Sequence, residues 1–264
     1  MGGVLGRAPR PSAFSARLLG TSAGMATLYA GTSGFAYPAW KPEFYPADVA
    51  ASRFLEHYAA RLNCVEINYT FRRTPRATTL EAWAQGTPPG FTFAVKAHQR
   101  ITHQARLQDA GEATAFFFKA LEPLRAAGKL GPILFQLPPY LRRDVPRLSA
   151  FLELLPVGQR ATIEFRHESW LTDEVFGLLR EHGVALCVAD TEKLVVPELV
   201  TADFVYERLR QPSYSDDDLA ALVARSRRLL AAGLDCYLVF KHEESAAGAL
   251  EAEWLLNAAR PQAA

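Results

Sequence analysis

The chain has 264 residues, 49% of them hydrophobic, and a formal net charge of +1 with the two signs interspersed. That is enough apolar material for one large core or two small ones, and it removes any global charge argument for a nucleic-acid or anionic-membrane partner. No apolar run approaches the ~20 residues that span a bilayer, so no membrane partner is expected.

Residues 1–24 carry Arg7, Arg10 and Arg17 among Ser, Gly and Ala, and the first acid of the chain is Glu43. This composition suits a transit peptide; alternatively, Met25, directly before the first strand, is the true start. On either reading residues 1–26 form a disordered or mis-assigned extension outside the fold, and 27–264 form one domain. From Thr27 onward a unit recurs: a short apolar strand, a turn, an amphipathic helix. Strands are predicted at Leu28–Gly34, Cys64–Phe71, Phe91–His98, Pro132–Pro138, Ala161–His167, Ala185–Thr191, Phe204–Arg210 and Cys236–His242. Helical spacing covers Ala51–Leu62, Thr114–Ala126, Val145–Leu155, Asp173–His182, Asp216–Ala232 and Ala246–Ala259. Ser215 before three aspartates, and Thr172 before Asp173 and Glu174, read as helix N-termini; Gly183 and Gly233 read as C-terminal stops.

Eight strands alternating with helices predict a single α/β domain, a (β/α)8 TIM-type barrel with parallel strands. A doubly wound open sheet calls for a glycine-rich phosphate loop followed by a helix after the first strand. Here Gly31-Thr32-Ser33-Gly34 leads into an aromatic loop, which favours the barrel.

The strands begin apolar and end in charge. Alternation puts Glu66 with Asn68, Lys96 with His98, and Glu164 with Arg166 on the face opposite the large apolar residues. Glu66, Asn68, Lys96, His98, Gln136, Glu164, Arg166, Asp190, Tyr206, Arg208 and Lys241 are therefore expected to line the C-terminal mouth, where barrels of this type place active sites. Glu66 with Lys96 is a plausible neutralising pair. Even so, a barrel built for stability alone would use aliphatic layers here, because ion pairs are expensive to bury. The inward set is slightly cationic, and arginine suits bidentate capture of phosphate or carboxylate, so a small anionic ligand is expected. The aromatic loop with Tyr37 and Trp40 is either a wall of the site or a plug over the barrel end.

Several stretches resemble the YecE-like family, called domain of unknown function 72: Gly31-Thr32-Ser33-Gly34-Phe35 with Tyr37, Trp40 and Phe44-Tyr45-Pro46; Val65-Glu66-Ile67-Asn68 with Thr70-Phe71; Phe93-Ala94-Val95-Lys96 with Ile101-Thr102-His103; Leu134-Phe135-Gln136-Leu137-Pro138-Pro139; Glu164-Phe165-Arg166-His167 with Ser169-Trp170; and Cys187-Val188-Ala189-Asp190. The resemblance implies a TIM-type barrel and no particular activity. Two stretches depart from the family pattern: Leu209-Arg210-Gln211 replaces Leu-His-Gly, and Phe240-Lys241-His242-Glu243-Glu244 replaces Phe-Asn-Asn.

Three functional readings follow. The first is a cofactor-independent enzyme acting on a phosphorylated or carboxylated, sugar-like metabolite. Glu66 and Glu164 would be its general acid and base, with pKa values pulled apart, and Asp190 a further catalytic carboxylate. Lys96 would stabilise an oxyanion in preference to forming a Schiff base, because nearby glutamates oppose the neutral amine. Asn68, His98, Gln136, Arg166, Tyr206, Arg208, Lys241, Tyr37 and Trp40 would bind substrate. The second is an isomerase or hydrolase with a divalent metal on Glu66, His98, Glu164 and Asp190. The third is a non-catalytic nucleotide or single-stranded nucleic-acid module, suggested by Arg142-Arg143 and Arg225-Arg227-Arg228, although these also suit a solvated helix face. Cys64, Cys187 and Cys236 lie in apolar runs without C-x-x-C spacing and read as core thiols in a reducing, cytoplasmic setting.

Overall fold

The computed structural model describes residues 25–191, 194–241 and 243–259. Residues 1–24 and His242, the expected end of the eighth strand, lie outside the described residues. The strands are β1 (Leu28–Ser33), β2 (Cys64–Ile67), β3 (Thr92–Lys96), β4 (Leu130–Gln136), β5 (Ala161–Glu164), β6 (Ala185–Ala189), β7 (Phe204–Leu209) and β8 (Asp235–Phe240). They pair in chain order, all parallel, and β8 closes on β1. The helices are α1 (Phe54–Arg61), α2 (Ala77–Gln85), α3 (Gly111–Ala120), α4 (Glu122–Ala126), α5 (Val145–Leu152), α6 (Asp173–His182), α7 (Asp216–Ala231) and α8 (Ala247–Ala259). Among the described residues, the β6–β7 connection carries no helix.

Local chemistry accounts for most boundaries. Ser215 accepts from the Asp218 amide and Asp218 answers at the Ser215 amide, so a capping box opens α7. Gly183 closes α6 in the left-handed region at φ 62°. Thr172, read as a cap, makes no side-chain cap bond; its hydroxyl accepts from Arg143 Nη1 at 3.3 Å. The helix predicted over 114–126 breaks at Leu121, because Pro123 cannot continue a helix without clashing with the preceding turn. The unpredicted α2 buries one residue, Leu80, which leaves little periodic signal in its sequence.

Alternation sorts two cores. Outward residues such as Val65, Phe93, Ile133, Phe135, Ile163 and Leu238 pack under the helices. Inward residues Cys64, Ala94, Leu134, Cys187, Phe204, Tyr206, Tyr237 and Val239 fill the barrel itself. Small residues on β2, β3 and β6 leave room for the rings from β7 and β8. All three cysteines are buried and unpaired. No helix among the described residues is long and apolar enough to cross a membrane.

Candidate active site

Above the inner core, at the C-terminal ends of the strands, the filling turns polar. Arg208 on β7 reaches across the barrel. Its Nη2 donates to Glu66 Oε1 on β2 at 2.7 Å, and its Nη1 to Glu164 Oε2 on β5 at 2.8 Å. All three side chains are at most 2% exposed. Tyr206, two residues earlier on the same face of β7, donates to Glu66 Oε2 at 2.8 Å. Ser33 donates to Glu66 Oε1 at 3.1 Å, and the Asn68 amide donates to the same oxygen and to the Ser33 hydroxyl. On the other side, Gln136 Nε2 donates to both Glu164 oxygens at 2.9 Å.

This arrangement corrects two expectations. Glu66 pairs with Arg208 rather than Lys96, because β7 lies across the interior and its guanidinium gives one N–H to each acid. Nor is either carboxyl pKa raised, as a general acid's would be. Burial alone would raise them; the Arg208 charge and the donated hydrogen bonds outweigh it and hold both below the ordinary glutamate range. Two carboxylates fixed in the ionised state supply no general acid.

Lys96, at the end of β3, is left without a carboxylate partner among the described residues. Its Nζ donates to Gln136 Oε1 at 2.8 Å and lies 4.4 Å from the centre of the Phe71 ring. Burial, then the charges of Arg208 and Arg210, lower its pKa to about 8 against the opposing pull of Glu66 and Glu164. His103 packs edge-on against the same Phe71 ring, with centroids 4.8 Å apart. Burial and the nearby Lys96 and Arg166 charges lower its pKa.

A cavity of about 690 Å³ opens over this network. Its wall holds Arg72, Arg73, Lys96, Arg166, Arg208, Arg210 and Lys241, with Glu243 as the one acid, beside Asn68, Tyr69, Phe71 and Gln136. Seven basic side chains against Glu243 and the two glutamates beneath leave a formal +4. Arg210 extends from β7 to within 3.3 Å of Glu164. The Nε–H groups of Arg208 and Arg210 are buried without a hydrogen-bond partner among the described residues. A neighbouring cavity of about 830 Å³, lined by Phe35, Tyr37, Ile67, Pro75 and Trp83, shares Asn68, Tyr69 and Arg73 with it. The smaller cavity carries the chemistry: the buried ionic network forms its floor.

The expected residues therefore divide. Glu66, Asn68, Lys96, Gln136, Glu164, Tyr206 and Arg208 meet in one network, with Arg166 and Lys241 on the cavity wall. His98 does not join them: β3 ends at Lys96, the face alternation ends with it, and His98 Nδ1 instead accepts from the Arg100 amide. Asp190 lies past the end of β6. Its carboxylate accepts from the Arg210 amide and the Tyr214 hydroxyl, so it holds the β7–α7 connection and does not line the cavity. Burial raises its pKa despite these bonds. Trp40 is fully buried, stacked on Tyr45 with centroids 5.9 Å apart, so this part of the aromatic loop is plug. Tyr37 lines the neighbouring cavity and donates to the Ser33 carbonyl at 2.9 Å. Gly34, at φ 92°, makes the turn that brings Tyr37 back; a Cβ there would lie 2.4 Å from the tyrosine oxygen.

The four proposed metal ligands do not converge, and no group of three His, Cys, Asp or Glu side chains with metal-binding geometry exists among the described residues. The arginines offered for nucleic acid are largely engaged: Arg143 with Glu174, Arg225 with Glu198 and Glu207, and Arg227 with the Ala258 carbonyl. Sequence reasoning missed Ser33, Phe71, His103 and Arg210 as site residues. Arg210 had a signal, because it follows Tyr206 and Arg208 at the same two-residue interval.

A closed parallel eight-stranded barrel with a buried arginine–dicarboxylate floor and a cationic mouth defines a TIM-type barrel with a built site. Residues 29–264 match the family model described as protein of unknown function DUF72, and the chain belongs to that family. The UPF0759 protein YecE of Escherichia coli K12 is 34% identical over 114 residues, 43% of this chain and 41% of its own. The UPF0759 protein YunF of Bacillus subtilis is 26% identical over 160 residues, 57% of each. The chain spans about half the length of the curated relatives it matches. A crystal structure of a DUF72 family protein from Thermotoga maritima superposes with a TM-score of 0.76 at 27% identity, covering 88% of this chain and 98% of that one. One from Enterococcus faecalis gives 0.69 at 19% identity, with the same coverage.

Proposed function

We propose that the chain is an enzyme that takes a small phosphorylated or carboxylated metabolite at the C-terminal mouth of its barrel. The observation that carries this reading is the concentration of seven basic side chains on one cavity. A phosphate or carboxylate supplies the negative charge that this cluster lacks, and arginine suits bidentate capture of either. Glu66 and Glu164 act as fixed negative charges that hold Arg208 upright under the ligand. Proton exchange just above neutral pH falls to Lys96, whose pKa burial brings down to about 8. Three unpaired buried cysteines support a reducing, cytoplasmic setting.

The test is thermal unfolding with orthophosphate, pyrophosphate and oxalate against chloride at matched ionic strength. The multivalent anions are expected to raise the midpoint with saturation, and Arg210→Met to weaken the apparent affinity about tenfold, the loss of one charge-assisted contact. Equal shifts with chloride, or an unchanged response in Arg210→Met, refute the anion site.

A further inference from the structure

The neighbours of Lys96 prepare its nitrogen for one kind of chemistry. Gln136 is oriented by its partners: its Nε2 faces a carboxylate that can only accept, so its Oε1 is left to face the lysine. That oxygen engages one N–H of Lys96. The Phe71 ring, 4.4 Å from Nζ, shields another side from water. Neither neighbour ties up the lone pair of the neutral amine. The two glutamates that would have kept the lysine charged are bound to Arg208, and Arg208 and Arg210 add positive charge beside it. A lysine whose charged form is disfavoured by burial and neighbouring cations, so that its amine is free at mildly basic pH, stands here at the wall of an open cavity, the arrangement that nucleophilic amine catalysis uses.

We propose that Lys96 is the nucleophile of this site, and that its amine condenses with the aldehyde or ketone group of a small anionic carbonyl compound to form an imine. The proposal rests on the anion site above and names the substrate class for it. In the step, Nζ attacks the carbonyl carbon and a C–N bond forms. Both amine protons end on the carbonyl oxygen, the C–O bond breaks, and the oxygen departs as water. No oxidant or reductant takes part. The surrounding guanidinium groups hold the anionic end of the substrate, and the imine then serves as an electron sink for bond cleavage or proton transfer at the adjacent carbon.

The imine can be trapped in the full-length protein by borohydride, which reduces it to a stable secondary amine. The probes are glyoxylate, as a carboxylate aldehyde, glycolaldehyde phosphate, as a phosphorylated one, and uncharged glycolaldehyde as the control. The chain has six lysines, Lys41, Lys96, Lys119, Lys129, Lys193 and Lys241, so a peptide map reads selectivity directly. At least one anionic probe is expected to label Lys96 to near one equivalent, at least tenfold faster than glycolaldehyde. Inorganic phosphate should slow the labelling, and its rate should rise with a midpoint near pH 8, following Lys96 against Arg208, Arg210, Glu66, Glu164 and His103. Lys96→Arg should remove that label and leave the slow background on Lys241. The map of the unmodified sequence needs no variant, so the test survives a misfolded Lys96→Arg. Labelling spread evenly over the lysines, with phosphate still raising the unfolding midpoint, overturns the nucleophile and leaves the anion site. No selective labelling and no midpoint shift overturns both.

Discussion

Arg160 and Arg208 each sit between two carboxylates, at opposite ends of the barrel. Arg160 precedes β5 at the N-terminal end and meets Asp203 at 3.4 Å and Asp235 at 2.7 Å, over the Phe204 ring, with 24% of its side chain exposed. Arg208 meets Glu66 and Glu164 at 2.7 and 2.8 Å with 2% exposed. At the N-terminal end the triad carries one negative charge in excess, and aromatic rings pack around it. At the C-terminal end the triad has the same formal charge, but six further basic side chains stand above it on an open cavity. A buried ion pair therefore does not by itself mark a site. The mark here is an excess of cations over those needed for neutrality, on an open cavity.

Deleting each arginine separates the two ends most strongly. Arg208→Met strands two buried carboxylates, which costs on the order of 3–5 kcal/mol. For a chain of this size that lowers the thermal midpoint by roughly 6–20 °C. Arg160→Met removes a partly hydrated pair and should cost about 1 kcal/mol. Comparable losses in the two variants would mean that solvent screens neither end.

Acid separates the two ends further. The folded pKa values of Glu66 and Glu164 lie below their unfolded values, so their contribution is complete above the ordinary glutamate range and is lost as pH falls through the folded values. Urea unfolding is expected to show stability falling below about pH 4.5, with at most ~2.7 kcal/mol per pH unit from the two groups together. Lys96 acts in the same sense in a higher window: its folded value is depressed to about 8, so the penalty for burying its charge is relieved, and stability rises, as pH rises from about 8 towards the unfolded value of 10.5. A stability curve flat between pH 3 and 6 would contradict the ionised floor.

The smallest effect concerns a residue beside the mouth but outside the cavity. Asp190→Asn weakens the hold on the Arg210 amide and the Tyr214 hydroxyl, at a cost of about 1 kcal/mol. Hydrogen exchange at Arg210 and Gln211 should accelerate, with anion affinity within about twofold of the parent. A tenfold loss of affinity would instead place Asp190 in the binding machinery.

Eight strands, their parallel order and the inward face of β7 were legible in the sequence, because apolar period and charge at strand ends are local properties of the chain. Glu66, Lys96, Gln136, Glu164, Tyr206 and Arg208 were readable as one inward set for the same reason. Two kinds of information were not. Strand ends were the first: past the last ladder pair alternation is no longer enforced, so His98 and Asp190 left the set that pattern alone had placed them in, while Asn68, Arg166 and Lys241, equally past their strands, stayed at the mouth. Partners were the second: Glu66 neutralised by Arg208 across the barrel, and Lys96 left to Gln136 and Phe71, depend on which side chains closure brings face to face. Sequence determines what each strand presents to the interior; only the closed barrel decides which charges cancel there and which remain for a ligand.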